Sequence, residues 1–427
     1  MKSTGIVWIP EVGDEWETYK VAHGFSAVGS GTTPDTENPA YYDGDVPWVT
    51  TSELRETVIT DTTKKVTSRA LREHSALKLF PPGTLLIAMY GATIGRLGIL
   101  GISACMNQAC CALGRGTFLE SRFVYYWLLG FREHVIQLAS GGGQPNISQE
   151  KIRSIRIPAP PREAQIRIAS FLDRKIAAAD ALIAKKERLI ELLQEKRQSL
   201  ITQAVTKGLD PKVSMKESGI VGLGGVPSHW RVERSRVFWR EAGERSTKGD
   251  EELLTVSHIT GVTPRSEKSD VNMFLAETME GYKRCAIDDL AVNTMWAWMG
   301  ALGVSQVAGI VSPSYNVYRL RRPQEHHPRY FDLLYRTPLY VAEINRWSKG
   351  IWSSRLRLYP QEFFSMRTLA PPVEEQRLIV EHITDALAKD DAVLSVFALS
   401  IEKLREYRRA LITAAVTGGI DVSKEAA

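Results

Sequence analysis

One stretch of this chain occurs twice, and any fold must accommodate both copies. Residues 160–210 read PPREAQIRIASFLDRKIAAADALIAKKERLIELLQEKRQSLITQAVTKGLD, and residues 371–421 read PPVEEQRLIVEHITDALAKDDAVLSVFALSIEKLREYRRALITAAVTGGID. Pro160 matches Pro371 and Leu200-Ile201-Thr202 matches Leu411-Ile412-Thr413, at a constant offset of 211 without a gap. An ungapped register of that length predicts a rigid element whose length matters.

Each copy reads as one long helix. A proline pair opens it, acidic residues (Glu163; Glu374, Glu375) suit the first turn, and glycine (Gly208; Gly418, Gly419) stops it. Ile176, Ala179, Ile183, Ile190, Leu193 and Leu200 step by three and four, and recur as Leu387, Asp390, Leu394, Ile401, Leu404 and Leu411. Lys186 aligns with Phe397 on that seam, and Arg197 with Arg408. Residues 162–207 carry ten basic and six acidic side chains, whereas 373–418 carry six and eight. Two rods with an apolar seam and opposite net charge are expected to pair as an intramolecular antiparallel coiled coil. Two core helices of one large domain are the duller alternative, but ordinary helices average about 11–12 residues.

The repeat extends beyond the rods. Met1-Lys2-Ser3-Thr4-Gly5-Ile6-Val7 matches Met215-Lys216-Glu217-Ser218-Gly219-Ile220-Val221, and Trp16 then matches Trp230, both at offset 214. The expected architecture is α+β with a pseudo-twofold internal repeat. Two mixed globular domains, 1–159 and 211–370, alternate with long helices at 160–210 and 371–421, and antiparallel rods would put the domains at opposite ends. Inside the first domain, 64–79 reads as a short helix, LLIAMYGATIGRLGIL as a pair of strands around Gly91–Gly95, NQACCAL as a strand, and SRFVYYWLLGFREHVIQLA as helical. DDLAVNTMWAWMGALGVS and RYFDLLYRTPLYVAEINRW take the corresponding places in the second.

Cys105, Cys110 and Cys111 lie in apolar strand-like sequence with no histidine at ligand spacing, which predicts buried thiols in a reducing cytoplasm and no metal site. The opening residues lack a signal-peptide core, and the glycines with Arg96 break the apolar run 85–106, so no membrane span is expected. A net charge of +5 permits nucleic-acid binding without demanding it. No phosphate-binding G-x-x-x-x-G-K-[ST], no H-E-x-x-H and no G-x-S-x-G occurs. Asn38-Pro39-Ala40-Tyr41 resembles an amino-methyltransferase loop, but it lacks the second proline and the preceding apolar strand. Gly141-Gly142-Gly143 is followed by no helix start with a suitable Lys or Ser. The chain reads as a binder without a catalytic centre.

The paired SGIV…W openings, LLIAMYGATIG with MNQACCAL, DLAVNTMWAWMGALGVS, GGGQPNISQEKIRSIRIPAPP and the duplicated PP-x-E-x-Q…LIT-x-AVT-x-G rods together resemble the specificity subunit of type I restriction–modification enzymes. The resemblance runs over essentially the whole chain. It implies two target-recognition domains, each reading one half of a split double-stranded DNA site, with the helices as spacer. It also implies two modification subunits bringing S-adenosylmethionine, and restriction subunits bringing ATP and magnesium, with no cofactor on this chain. An orphan DNA-binding protein of the same fold is the alternative. A stand-alone methyltransferase or nuclease is a further one, which the missing motifs disfavour.

Loop polar and aromatic residues at equivalent places are the candidate DNA contacts. In the first domain these are Thr32, Thr33, Lys64, Lys65, Arg69, Tyr90, Thr93, Arg96, Gln144 and Asn146. In the second they are Lys283, Arg284, Trp296, Trp298, Lys349, Ser353 and Arg355. Lysine and arginine suit phosphates, while Gln144 or Asn146 could read an adenine edge. Trp296 and Trp298 could equally be core.

Overall fold

A computed structural model describes residues 2–140, 145–267, 278–351 and 355–422. Its two long helices run Arg162–Lys207 and Val373–Val416, starting directly after the proline pairs. At ~1.5 Å per residue they are ~69 Å and ~66 Å long. The second stops earlier because Gly418, in the left-handed conformation (φ +77°), stands where the first copy has Lys207. Between 176 and 200 the only residues not exposed are 176, 179, 183, 186, 190, 193, 197 and 200, the three-four spacing of a coiled-coil seam. The predicted seam positions Leu387, Leu394, Ile401, Leu404 and Leu411 are likewise buried or half-buried.

The chain forms two compact units, and each contains halves of both rods: Met1–Lys186 with Ala398–Ala427, and Glu187–Phe397. Pairing within each unit is antiparallel. In the first, Asp180 meets Arg408 at 2.7 Å, while Leu172 and Ile176 share a core with Ile412, Ala415 and Val416. In the second, Arg197 meets Asp391 at 2.7 Å, while Ala204 and Val205 share a core with Ile379 and Ile383. The aligned arginines therefore do not face one another: each takes an aspartate, and the two pairs are the same interaction displaced by 211 residues.

In the first unit a five-stranded sheet has the order 28–30, 110–113, 85–88, 97–100, 58–59, and a three-stranded sheet joins 105–106, 42–49 and 65–66. Helices Ser121–Gly130 and Arg132–Gln137 cover the larger sheet through Phe123, Val124, Trp127 and Val135. The helical reading of 121–139 thus holds with a break at Phe131. The helix expected over 64–79 shrinks to Ser68–Glu73, because Lys65–Val66 pairs as a strand with Tyr42–Val49 and Thr67 caps the short helix. Cys105, Cys110 and Cys111 are buried in strands, and burial pushes their thiols up to about 12.

The second unit repeats the plan in a four-stranded sheet ordered 239–241, 316–320, 290–292, 302–304, covered by helices Pro328–Tyr335 and Pro338–Trp347. Here the break between helices falls at Pro338, which takes the first helical position. In both units the strand before a rod pairs with the strand after the shared tryptophan: Arg156–Ala159 with Glu17–Lys20, and Arg367–Ala370 with Arg231–Arg234.

A glutamine staples each rod to its unit. Buried Gln165 donates from Nε2 to the carbonyls of Pro160 (2.9 Å) and Phe118 (3.0 Å), and its Oε1 accepts from the Glu120 N–H (2.8 Å). Gln376 donates to the Pro371 carbonyl (2.7 Å) and accepts from the His327 N–H (2.8 Å), with the His326 ring 3.3 Å from its Nε2. This is the physical content of the Q in PP-x-E-x-Q. Among the described residues no helix is long and apolar enough to cross a membrane.

Candidate nucleic-acid interface

The two sheets carry equivalent strand–turn–strand elements. In the first unit Leu85–Ala88 pairs antiparallel with Leu97–Leu100, and residues 89–95 turn between them. The Ala88 N–H donates to the Arg96 carbonyl (2.8 Å), the Gly95 N–H to Ala88 (2.9 Å), and Thr93 Oγ1 to the Tyr90 carbonyl (3.1 Å). In the second unit Leu290–Val292 pairs with Leu302–Val304 around residues 294–300. There the Asn293 N–H donates to the Ala301 carbonyl (3.0 Å), and Trp298 Nε1 to the Met295 carbonyl (3.0 Å). Both turns close on a glycine in the left-handed region, Gly95 at φ +74° and Gly300 at φ +91°. A returning loop docks on each: the Ile147 N–H donates to the Met89 carbonyl (2.9 Å), and the Leu358 N–H to the Thr294 carbonyl (3.1 Å).

Several first-unit candidates converge on this turn. Asn146 forms a backbone bridge with Tyr90, and its Oδ1 is buried with no partner among the described residues. Thr33 Oγ1 donates to Gln108 Oε1 (2.6 Å) and the Thr32 N–H to the Met106 carbonyl (3.1 Å), beside Ala109, which accepts from the Met89 N–H (2.9 Å). Lys64, Lys65 and Arg69 belong instead to the smaller sheet and its helix. Lys65 pairs with Asp61 (3.3 Å) and Arg69 with Glu73 (2.8 Å). Tyr41, from the loop that mimics a methyltransferase motif, donates to Glu73 (2.7 Å), so that loop serves packing. Hydrogen bonds from Tyr41 and Arg69 hold the Glu73 carboxyl below its usual range.

Second-unit candidates divide similarly. Trp296 is 50% exposed at its turn, so the core alternative fails for it, whereas Trp298 is half-buried and braces the turn. Lys283 donates to Asn316 Oδ1 (3.0 Å), and burial lowers its pKa. Arg284 pairs with Glu251 (2.7 Å) and Lys349 with Glu362. Lys64, Arg96 and Arg355 are exposed and form no ion pair among the described residues. Gln144 and Ser353 lie outside the described residues. Sequence reasoning did not pick out Met295, which is 36% exposed beside Trp296 and whose apolar character drew no notice in an apolar run.

Residues 13–192 match the family model described as the type I restriction modification DNA specificity domain. Over those residues the chain resembles the type I restriction–modification specificity family. Among the curated relatives, the MjaIX specificity subunit of Methanocaldococcus jannaschii is 28% identical over 45% of this chain and 44% of its own length. The EcoR124I/EcoR124II specificity subunit of Escherichia coli is 23% identical over 39% and 42% respectively. The chain thus spans less than half the length of each of these relatives. Two solved structures share the fold. A chain from a type I R-M system studied for complex assembly and conformational transition is 16% identical, with TM-score 0.67 over 96% of this chain and 100% of its own. The HsdS subunit from Thermoanaerobacter tengcongensis is 15% identical, with TM-score 0.56 over 98% and 100%. The family match takes in the first turn, and the second is its hydrogen-bonded equivalent further along the chain.

Proposed function

We propose that this chain is the non-catalytic specificity subunit of a type I restriction–modification complex. Each globular domain reads one half of an asymmetric split site on double-stranded DNA, and the paired rods set the spacer. The observation that supports this most is the duplicated frame. Equivalent turns, glutamine staples and rod ion pairs recur, while the side chains on the turns differ. One frame carrying two different surfaces suits a target with two unlike halves. Rods of ~69 Å and ~66 Å compare with about 34 Å for a turn of B-DNA, so a spacer within two turns is in reach.

Two modification subunits dock, in this reading, on repeat-equivalent grooves. The first unit has a groove of about 560 Å³ between the helix corner at Gly130–Arg132 and rod residues Ile401, Arg405 and Ile412. The second has one of about 520 Å³ between Arg336–Pro338 and rod residues Gln198 and Ile201. Ile201 and Ile412 are the same position of the repeat, so two copies of one partner fit two copies of one surface. S-adenosylmethionine then arrives with the modification subunits, and ATP with magnesium on restriction subunits.

Mapping adenine methylation across the genome of the source cell, with and without this gene, tests the proposal. Loss of one split motif on deletion is the expected result. An unchanged map would point to the orphan DNA-binding reading. Exchanging residues 1–160 for another recognition domain should change one half-site only, and shortening both rods by one turn should change the spacer only.

A further inference from the structure

We infer that the turns 89–95 and 294–300 are the paired reading elements, each setting large apolar side chains against base edges: Tyr90 in one half-site, Trp296 with Met295 in the other. This rests on reading the chain as a two-part DNA reader. The first support is that unlike sequences build one shape. MYGATIG and TMWAWMG share only the middle alanine and the closing glycine. Even so, the bond across the base of the turn and the bond from the docked loop recur.

The second support is bracing. Thr93 and Trp298 occupy the same position and spend their side-chain donors on equivalent carbonyls, those of Tyr90 and Met295. They are positioning residues and hold the turn in shape before anything binds, which lowers the ordering cost of association. The closing glycines seat each turn on a helix: a Cβ on Gly95 would meet Ile136 at 3.1 Å, and one on Gly300 would meet Val341 at 3.0 Å.

The third support is exposure. Tyr90 is 40% exposed, Met295 36% and Trp296 50%, while the strands that carry them are buried throughout. Neither aromatic ring stacks on another ring among the described residues. Large apolar groups on a rigid turn tip suit contact with a thymine methyl or the face of an unstacked base. In the second unit Lys349 is committed to Glu362 and Lys283 to Asn316, so that turn tip contributes shape and apolar contact more than charge, whereas exposed Arg96 beside the first turn adds a cation for the phosphate backbone. A phenol both donates and accepts while an indole only donates, so the two turns select different bases.

Variants of the full chain, Tyr90→Ala, Tyr90→Phe, Trp296→Ala and Trp296→Phe, each replacing the wild-type gene in the source cell, test this by base-resolution methylation mapping. Tyr90→Ala should relax base preference in one half-site and cut methylation roughly tenfold, the scale of losing one stacked contact. Trp296→Ala should do the same in the other half only, and the phenylalanine variants should retain most of the preference. If wild type marks a split motif and both alanine variants mark it unchanged, the inference is overturned and the two-reader proposal stands. Equal disturbance of both halves by one variant, with its phenylalanine counterpart equally impaired, also overturns the inference. A wild-type gene that governs no split motif overturns the proposal itself.

Discussion

The surroundings of Gln165 and Gln376 show how the two units are alike and where they part. Both side chains are buried, both donate to the first carbonyl of a proline pair, and both accept the N–H of a helix N-cap residue, Glu120 in one unit and His327 in the other. The third contact differs: the Phe118 carbonyl in one unit, the His326 imidazole in the other. What recurs is bonding to backbone, which any sequence supplies. What varies is side chain, so two diverged domains keep one frame while their surfaces differ.

Removing the staples should have the largest effect on that comparison. Gln376→Leu leaves the His327 N–H and the Pro371 carbonyl buried without partners and should cost about 3 kcal/mol, and Gln165→Leu should cost about the same. Urea unfolding of the full chain measures both, and a much smaller loss for one would break the equivalence. Alanine at Gly95 or Gly300 should cost about 1–2 kcal/mol each for the left-handed backbone, seen as a lowered melting temperature. The rod pairs should contribute less. A double-mutant cycle on Arg197 and Asp391 should return about 0.5 kcal/mol, since Asp391 is largely exposed, and the Asp180–Arg408 cycle should match it.

The smallest difference is in pH response. Burial, reinforced by Arg231, lowers the pKa of His326, and burial likewise lowers that of His327. A histidine held neutral in the folded state binds more protons when unfolded. Its stabilisation is therefore present above the unfolded value of about 6.5 and is lost as pH falls below it. Hydrogen exchange at pH 5.5 and 7.5 should show faster opening at low pH for second-unit core amides around Tyr330 and Ile379. The first-unit staple has no histidine and should show no such change there.

The rods were legible because their pattern is local. Every seam position from Ile176 to Leu200 lies inward, and a three-four period needs no knowledge of the partner. The strand pair around Gly91–Gly95 and the buried cysteines were legible for the same reason: apolar runs broken by glycine. The helix over 64–79 was misjudged because a distant strand, Tyr42–Val49, recruits Lys65 and Val66.

The candidate site was legible only as a set of loops. Tyr90 and Trp296 are exposed, but Thr93 and Trp298 are braces, and Lys65, Arg69, Arg284 and Lys349 are held in ion pairs with acids four to thirty-three residues away. Composition and spacing cannot say which donor a neighbour has already satisfied. Periodicity along one helix sets the rods, their length and their seam. The pairing of Arg197 with Asp391, the docking of Asn146 beside Tyr90 and the equivalence of two unlike turns come from contacts between segments far apart in the chain. Only the folded backbone brings those segments within hydrogen-bond distance.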